Sequence, residues 1–286
     1  MLNNYEWIKN GLHFKKFEVG ELIVVEYKCP LEVDSVAIWA KHDYIIHVLS
    51  GKKTWRNLDG VWTAEQGETL YIKKGASIIH QIFDEDFCML GFFITDDIIR
   101  EVVKEVRGKT PIQSIEEARS QKISKLVSNP VLSGFYQSML MHFRSDTKPV
   151  DSLLELKIKE LIMTIINLND NPDLTAYFNS VSQSSGPSLS HIMELNYHYN
   201  LTLNEFAELC HRSLSSFKRD FKSHYNSTPG KWLLSKRLDL AANLLKTSDS
   251  NVSQIAFECG FEDLSHFSRT FKDKFGTNPS EFKIVG

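Results

Sequence analysis

Cysteine is sparse in this chain and nowhere paired. Cys29, Cys88, Cys210 and Cys259 lie far apart along 286 residues, with no Cys-x-x-Cys spacing. That excludes a disulfide-stapled scaffold and a cysteine zinc site, and it fits a reducing compartment. Long apolar runs are also missing. A stretch such as Leu161–Met163 falls far short of the ~20 residues that span a bilayer. The opening "MLNNYEWIKNGLHF" has no apolar core followed by small residues, unlike a signal peptide. The expectation is a cytoplasmic chain with no membrane partner. There is no P-loop, no Rossmann glycine pattern and no Ser/His/Asp constellation, so no enzyme activity and no cofactor are expected.

A net positive charge is lacking too. The formal net charge is -3, which argues against non-specific adhesion to polyanions. The balance is uneven, however. Residues 187–286 hold 12 basic and 11 acidic side chains, leaving 21 and 25 for residues 1–186. If the C-terminal part meets nucleic acid, the position of its charges must matter more than their number.

What is present divides into two kinds of periodicity. Short β-branched and aromatic runs fill residues 20–95: Glu21–Lys28, Ser35–Ala40, Tyr44–Gly51, Glu68–Gly75, Ser77–Phe83 and Cys88–Ile94. Turn-forming segments such as "NLDG" and "EQGE" separate them. Many short strands at this spacing predict a barrel or sandwich. From Asp96 the period becomes helical, with "DDIIREVVKEVRG" ending near Gly108 and further helical pieces to Phe143, interrupted at Pro130. In Asp151–Asp170 an apolar seam runs through Leu154, Ile158, Leu161, Ile165 and Leu168. It can pack on its own domain or pair across a dimer. The small, polar "NSVSQSSGPS" then reads as a linker. The domains expected are 1–178, a linker at 179–187, and an all-helical 188–286.

The helical region repeats itself. At an offset of fifty, Phe217 matches Phe267, Arg219 matches Arg269, Phe221 matches Phe271 and Lys222 matches Lys272. Tyr225 matches Phe275, Pro229 matches Pro279 and Trp232 matches Phe282, while Ala207 and Cys210 match Ala256 and Cys259 one residue out of step. Each copy reads as helix, tight turn, helix. Thr202, Ser213, Asn251 and Asp263 stand at N-cap places, and Thr228-Pro229 and Asn278-Pro279 each put a cap before a proline. The aromatics four apart form a buried stripe. That leaves Ser215, Lys218, Arg219 and Lys222 exposed in the first copy, and Ser265, His266, Arg269 and Lys272 in the second. Short polar groups near a helix start, an Arg one turn on and a flanking Lys suit a helix in a major groove. A single exposed Arg is usually just solvated. Two at equivalent places of two such units point to DNA.

Residues 188–286 resemble the DNA-binding domain of the AraC/XylS family of bacterial transcription regulators, most closely at "SHFSRTFKDKFGTNPSEF". The resemblance implies two helix-turn-helix units joined by one long helix, with helices about 213–225 and 263–275 reading successive major grooves of promoter DNA. It implies a transcription regulator, an activator by preference, with RNA polymerase as a partner. His211 stands where the family commonly has Gly, and the second copy keeps Gly260. The whole is then an α+β multidomain chain. Its N-terminal half resembles a cupin-like β-barrel with a helical dimerisation region, in segments such as "GELIVVEYK", "GETLYIKKGASIIH" and "LLELKIKELIM" most like the ExsA-like subgroup. From this resemblance follow a homodimer and an input that is a small-molecule effector or an anti-activator protein. Trp39, Trp55, Trp62, Tyr71 and Phe92 can line a pocket in the barrel, or simply fill it. The alternative function is a cupin-type metalloenzyme with a helical tail. His42 and His47 are five apart and would face opposite sides of a strand, leaving His80 at a plausible ligand place, so no metal is expected.

Overall fold

The computed structural model describes residues 1–28, 35–57, 60–81, 87–106, 121–145, 148–183 and 186–285. Two compact units emerge, residues 2–186 and 187–286. Cys29 and the end of the helix expected near Gly108 lie outside the described residues.

The first unit opens with β1 (Leu2–Asn3) and α1 (Asn4–Asn10). Strands β2 (Lys15–Val19), β3 (Leu22–Lys28), β4 (Ser35–Ala40), β5 (Asp43–Ser50), β6 (Lys52–Asn57) and β7 (Gly60–Glu65) come next. Then follow β8 (Thr69–Ile72), β9 (Gly75–Gln81), β10 (Cys88–Ile94), α2 (Asp96–Val106), β11 (Ile123–Leu126), α3 (Pro130–Arg144), α4 (Asp151–Leu168) and α5 (Pro172–Gln183). The strands form two sheets, one in the order β1-β4-β9-β6-β7 and one in the order β11-β8-β5-β10-β3-β2. The expected barrel therefore takes the form of two sheets sharing one filling. Ile38 of β4, Trp55 of β6 and Ile79 of β9 cluster with Val25, Ile46 and Phe93 of the six-stranded sheet.

Side-chain alternation explains why the strands of the larger sheet read as unbroken apolar runs. Tyr44, Ile46 and Val48 of β5 enter the filling between the sheets. Ile45, Tyr71, Leu90 and Phe92 point the other way and pack with α2, α3, α4 and α5. The larger sheet is a middle layer with an apolar core on each face. β10 approaches β3 so closely that a Cβ on Gly91 would lie 2.9 Å from Val25 Cγ1.

Several expectations change here. Residues 123–126 are a strand, not helix, because their backbone completes the edge beside β8. Pro130 does not interrupt a helix; it begins one, with Asn129 accepting from the N–H groups of Val131 and Leu132. α5 runs to Gln183, so residues 179–183 of the expected linker are helical. The seam on α4 lies inside its own unit. Leu154, Ile158, Leu161 and Ile165 are at most 2% exposed in the single chain, and Leu168 packs on the same cluster. Those side chains are unavailable to a second copy.

The second unit comprises α6 (Leu189–Asn196), α7 (Leu203–Leu209), α8 (Leu214–Tyr225), α9 (Pro229–Thr247), α10 (Val252–Glu258), α11 (Leu264–Phe275) and α12 (Pro279–Val285). Thr202 with Glu205 and Asn251 with Gln254 form full capping boxes at α7 and α10. Thr228 stands before α9 without a side-chain cap bond; Pro229 at the first position sets the start.

Candidate nucleic-acid interface

The two helices expected to read DNA, α8 and α11, are built alike from the inside out. Phe217 and Phe221 of α8, and Phe267 and Phe271 of α11, are fully buried. Phe271 meets Phe275 and Phe282, as Phe221 meets Tyr225 and Trp232. Anchoring one face this way turns the opposite face to solvent. Ser215, Lys218, Arg219 and Lys222 are all exposed on α8, and Ser265, His266, Arg269 and Lys272 on α11. The structure thus gathers all eight expected residues onto two matching faces.

Each helix is entered through a left-handed turn. His211 has φ 52° and Gly260 φ 81°. The two residues stand at matching places of the repeat, 49 residues apart. Glycine adopts this backbone freely, and histidine is one of the side chains that tolerate it. After the turn the caps differ. Asp263 accepts from the N–H groups of Ser265 (2.6 Å) and His266 (2.9 Å). The N–H groups of His266 and Ser265 hold the Asp263 carboxyl below its usual range, helped by the nearby His266 and Arg269 side chains. At α8 the neutral Ser213 accepts from Ser216 N at 3.3 Å, and its hydroxyl lies 3.1 Å from that of Ser215.

A second difference was not foreseen. Asp220 of α8 lies 3.3 Å from Arg219 Nε and 3.2 Å from Arg212, so its carboxylate pairs with the guanidinium that the sequence marks as a DNA reader. At the matching place α11 has Thr270, whose hydroxyl donates to the carbonyl of His266 within its own helix. An acid beside one of two matched arginines was the available sequence signal.

The aromatic residues expected to line a pocket do not converge. Trp55 joins the filling between the sheets, and Trp62, its cross-strand partner, packs against it. Tyr71 and Phe92 point into the helical core on the other face. Trp39 is buried too, but stands on β4 between Ile38 and Ala40, both of which point into the filling, so alternation turns it to the opposite face. The three histidines are also apart. His42 meets the Tyr5 ring edge-on, and His47 stacks on Tyr136 while bonding Thr69 at 3.0 Å. His80 sits on β9, opposite Ser35 of β4. Among the described residues, no group of three or more His, Cys, Asp or Glu could hold a metal ion. No helix among them is long and apolar enough to cross a membrane.

Paired helix-turn-helix units with matched basic faces, carried beside a separate β-rich unit, define a DNA-binding protein with an attached second domain. Comparison with known proteins agrees. Residues 43–177 match the ExsA N-terminal regulatory domain, and residues 206–283 match a helix-turn-helix domain. The HTH-type transcriptional regulator ExsA of Pseudomonas aeruginosa is 25% identical over 84% of this chain and 85% of its own. The virulence regulon transcriptional activator VirF of Yersinia enterocolitica is 23% identical over 93% of this chain and 96% of its own. The HTH-type transcriptional activator RhaS of Escherichia fergusonii is 44% identical over 25% of this chain and 26% of its own. The chain is similar along most of its length to regulators of the AraC/XylS family: it is a DNA-binding transcription regulator whose N-terminal unit is regulatory.

Proposed function

We propose that the chain is a cytoplasmic transcription activator that reads two successive major grooves of promoter DNA with α8 and α11. The observation that carries this reading is one exposed face repeated fifty residues apart over one buried aromatic stripe. Arg219 and Arg269 are placed to give two hydrogen bonds each to guanine O6 and N7. Ser215 and Ser265, with Lys218 and His266, supply further base contacts. Lys222 and Lys272 hold phosphates. Residues 188–286 carry this activity, and residues 1–178 receive the signal and support a homodimer. RNA polymerase is the partner an activator requires.

The input is a small-molecule effector or an anti-activator protein. Tyr44, Trp55 and Phe93 occupy the space between the sheets, which favours the protein. The test is selection of bound duplexes from genomic DNA by the full chain. Two conserved segments about 10 base pairs apart, centre to centre, are expected. A selected pool with no shared sequence would overturn the reading.

A further inference from the structure

One side chain ties the two helix-turn-helix units together, and it lies in neither. Arg237 sits midway along α9, the helix that joins them, and is half-buried. Its Nε donates to the carbonyl of Tyr197 at 2.7 Å and one terminal nitrogen to that of Tyr199 at 2.7 Å. The other terminal nitrogen donates to the carbonyl of Gly260 at 3.1 Å. Tyr197 and Tyr199 belong to the segment that leads into α7, the first helix of the first unit. Gly260 is the turn of the second. The same two segments touch elsewhere. The Asn200 amide donates to Glu262. A Cβ on Gly260 would lie 2.7 Å from the carbonyl oxygen of His198 and 3.1 Å from the Arg237 guanidinium carbon. A planar guanidinium presents donors in a rigid fork, so three carbonyls from two units are held in one geometry.

We propose that Arg237 is a positioning residue that sets the separation and phase of the two reading helices, and so makes the protein specific for the spacing between its two DNA segments. This rests on the two-groove reading above. Two readers on one rigid body act at high effective concentration on a site of matching span, and that advantage is lost as their linkage loosens. Arg237 faces no DNA in this scheme; it acts through α7 and the Gly260 turn.

The experiment uses the full chain, a duplex it has selected from genomic DNA, a version with one of the two segments scrambled, and versions with one or two base pairs inserted between them. Arg237→Ala is expected to lower affinity for the intact duplex about tenfold and to leave affinity for the scrambled duplex within about twofold. The loss that wild type suffers on insertion should shrink in the variant. Arg237→Lys, with one ammonium for three carbonyls, should recover only part of the spacing preference. If Arg237→Ala does not fold, Asn200→Ala, which cuts the parallel bond to Glu262, gives the same readout. Equal losses on intact and scrambled duplexes, or an insertion penalty as large as wild type, would overturn the proposal. A wild-type chain that selects no sequence would instead overturn the two-groove reading.

Discussion

Replacing Arg269 by alanine separates recognition from folding more cleanly than any other change on this surface. Arg269 is exposed, and alanine is the best helix former, so stability should move by no more than about 0.5 kcal/mol. Two residues away, Phe267 is fully buried, with ring centroids 5.0 Å from Phe261 and 5.6 Å from Phe271. Phe267→Ala should cost about 3–5 kcal/mol, a large share of the roughly 5–15 kcal/mol that holds a domain. Binding should show the reverse. Loss of one two-bonded contact to guanine costs about 1–3 kcal/mol, or roughly 5- to 150-fold in Kd. The assay is fluorescence anisotropy of the full chain on a selected duplex and on its single-base variants, beside urea denaturation of each protein. Arg269→Ala should lose affinity for the parent site and lose discrimination at one base pair. Undiminished affinity, or an equal loss on every sequence, would refute the role given to Arg269.

Three further outcomes are expected. Asp220→Asn releases Arg219 and Arg212 and removes a negative charge from the face of α8, so affinity for the selected duplex should rise about two- to fivefold; a fall would count against this reading of the pair. Burial lowers the pKa of His47 from 6.5 to about 4, so the unfolded chain binds more protons between those values, and stability should fall by up to about 3 kcal/mol as pH drops through that window and stay level above it. His47→Phe, which keeps the stack on Tyr136, should flatten the profile, measured by urea denaturation at stepped pH. Leu161→Ala should destabilise by about 2–5 kcal/mol and leave the oligomeric state of the folded protein unchanged by sedimentation, whereas a stable variant that falls apart into monomers would restore the seam as an interface.

The two exposed polar faces of α8 and α11 were legible in the sequence because they repeat. A duplicated pattern shows which positions are held in common, and the exposure of all eight residues follows from the phase of four phenylalanines. The strands of the middle sheet were legible because burial on both faces leaves unbroken apolar runs. What escaped notice lacked such a pattern. β7 exposes every second residue, β6 is only partly buried on the matching face, β11 is four residues long, and its pairing with β8 crosses about fifty residues of chain. The α4 seam was visible, but heptad spacing cannot say whether the surface it meets belongs to the same chain. Arg237 left no sign at all, since its partners are backbone carbonyls, which every residue carries.

The two entry turns have unequal freedom to change. At position 211 the residue must accept a left-handed φ of 52° on an exposed surface. Glycine, asparagine and histidine can all do so. At position 260 the demand is double, since φ is 81° and a carbonyl oxygen stands 2.7 Å from where a Cβ would sit. Sequence drift can therefore pass through the first turn but not the second.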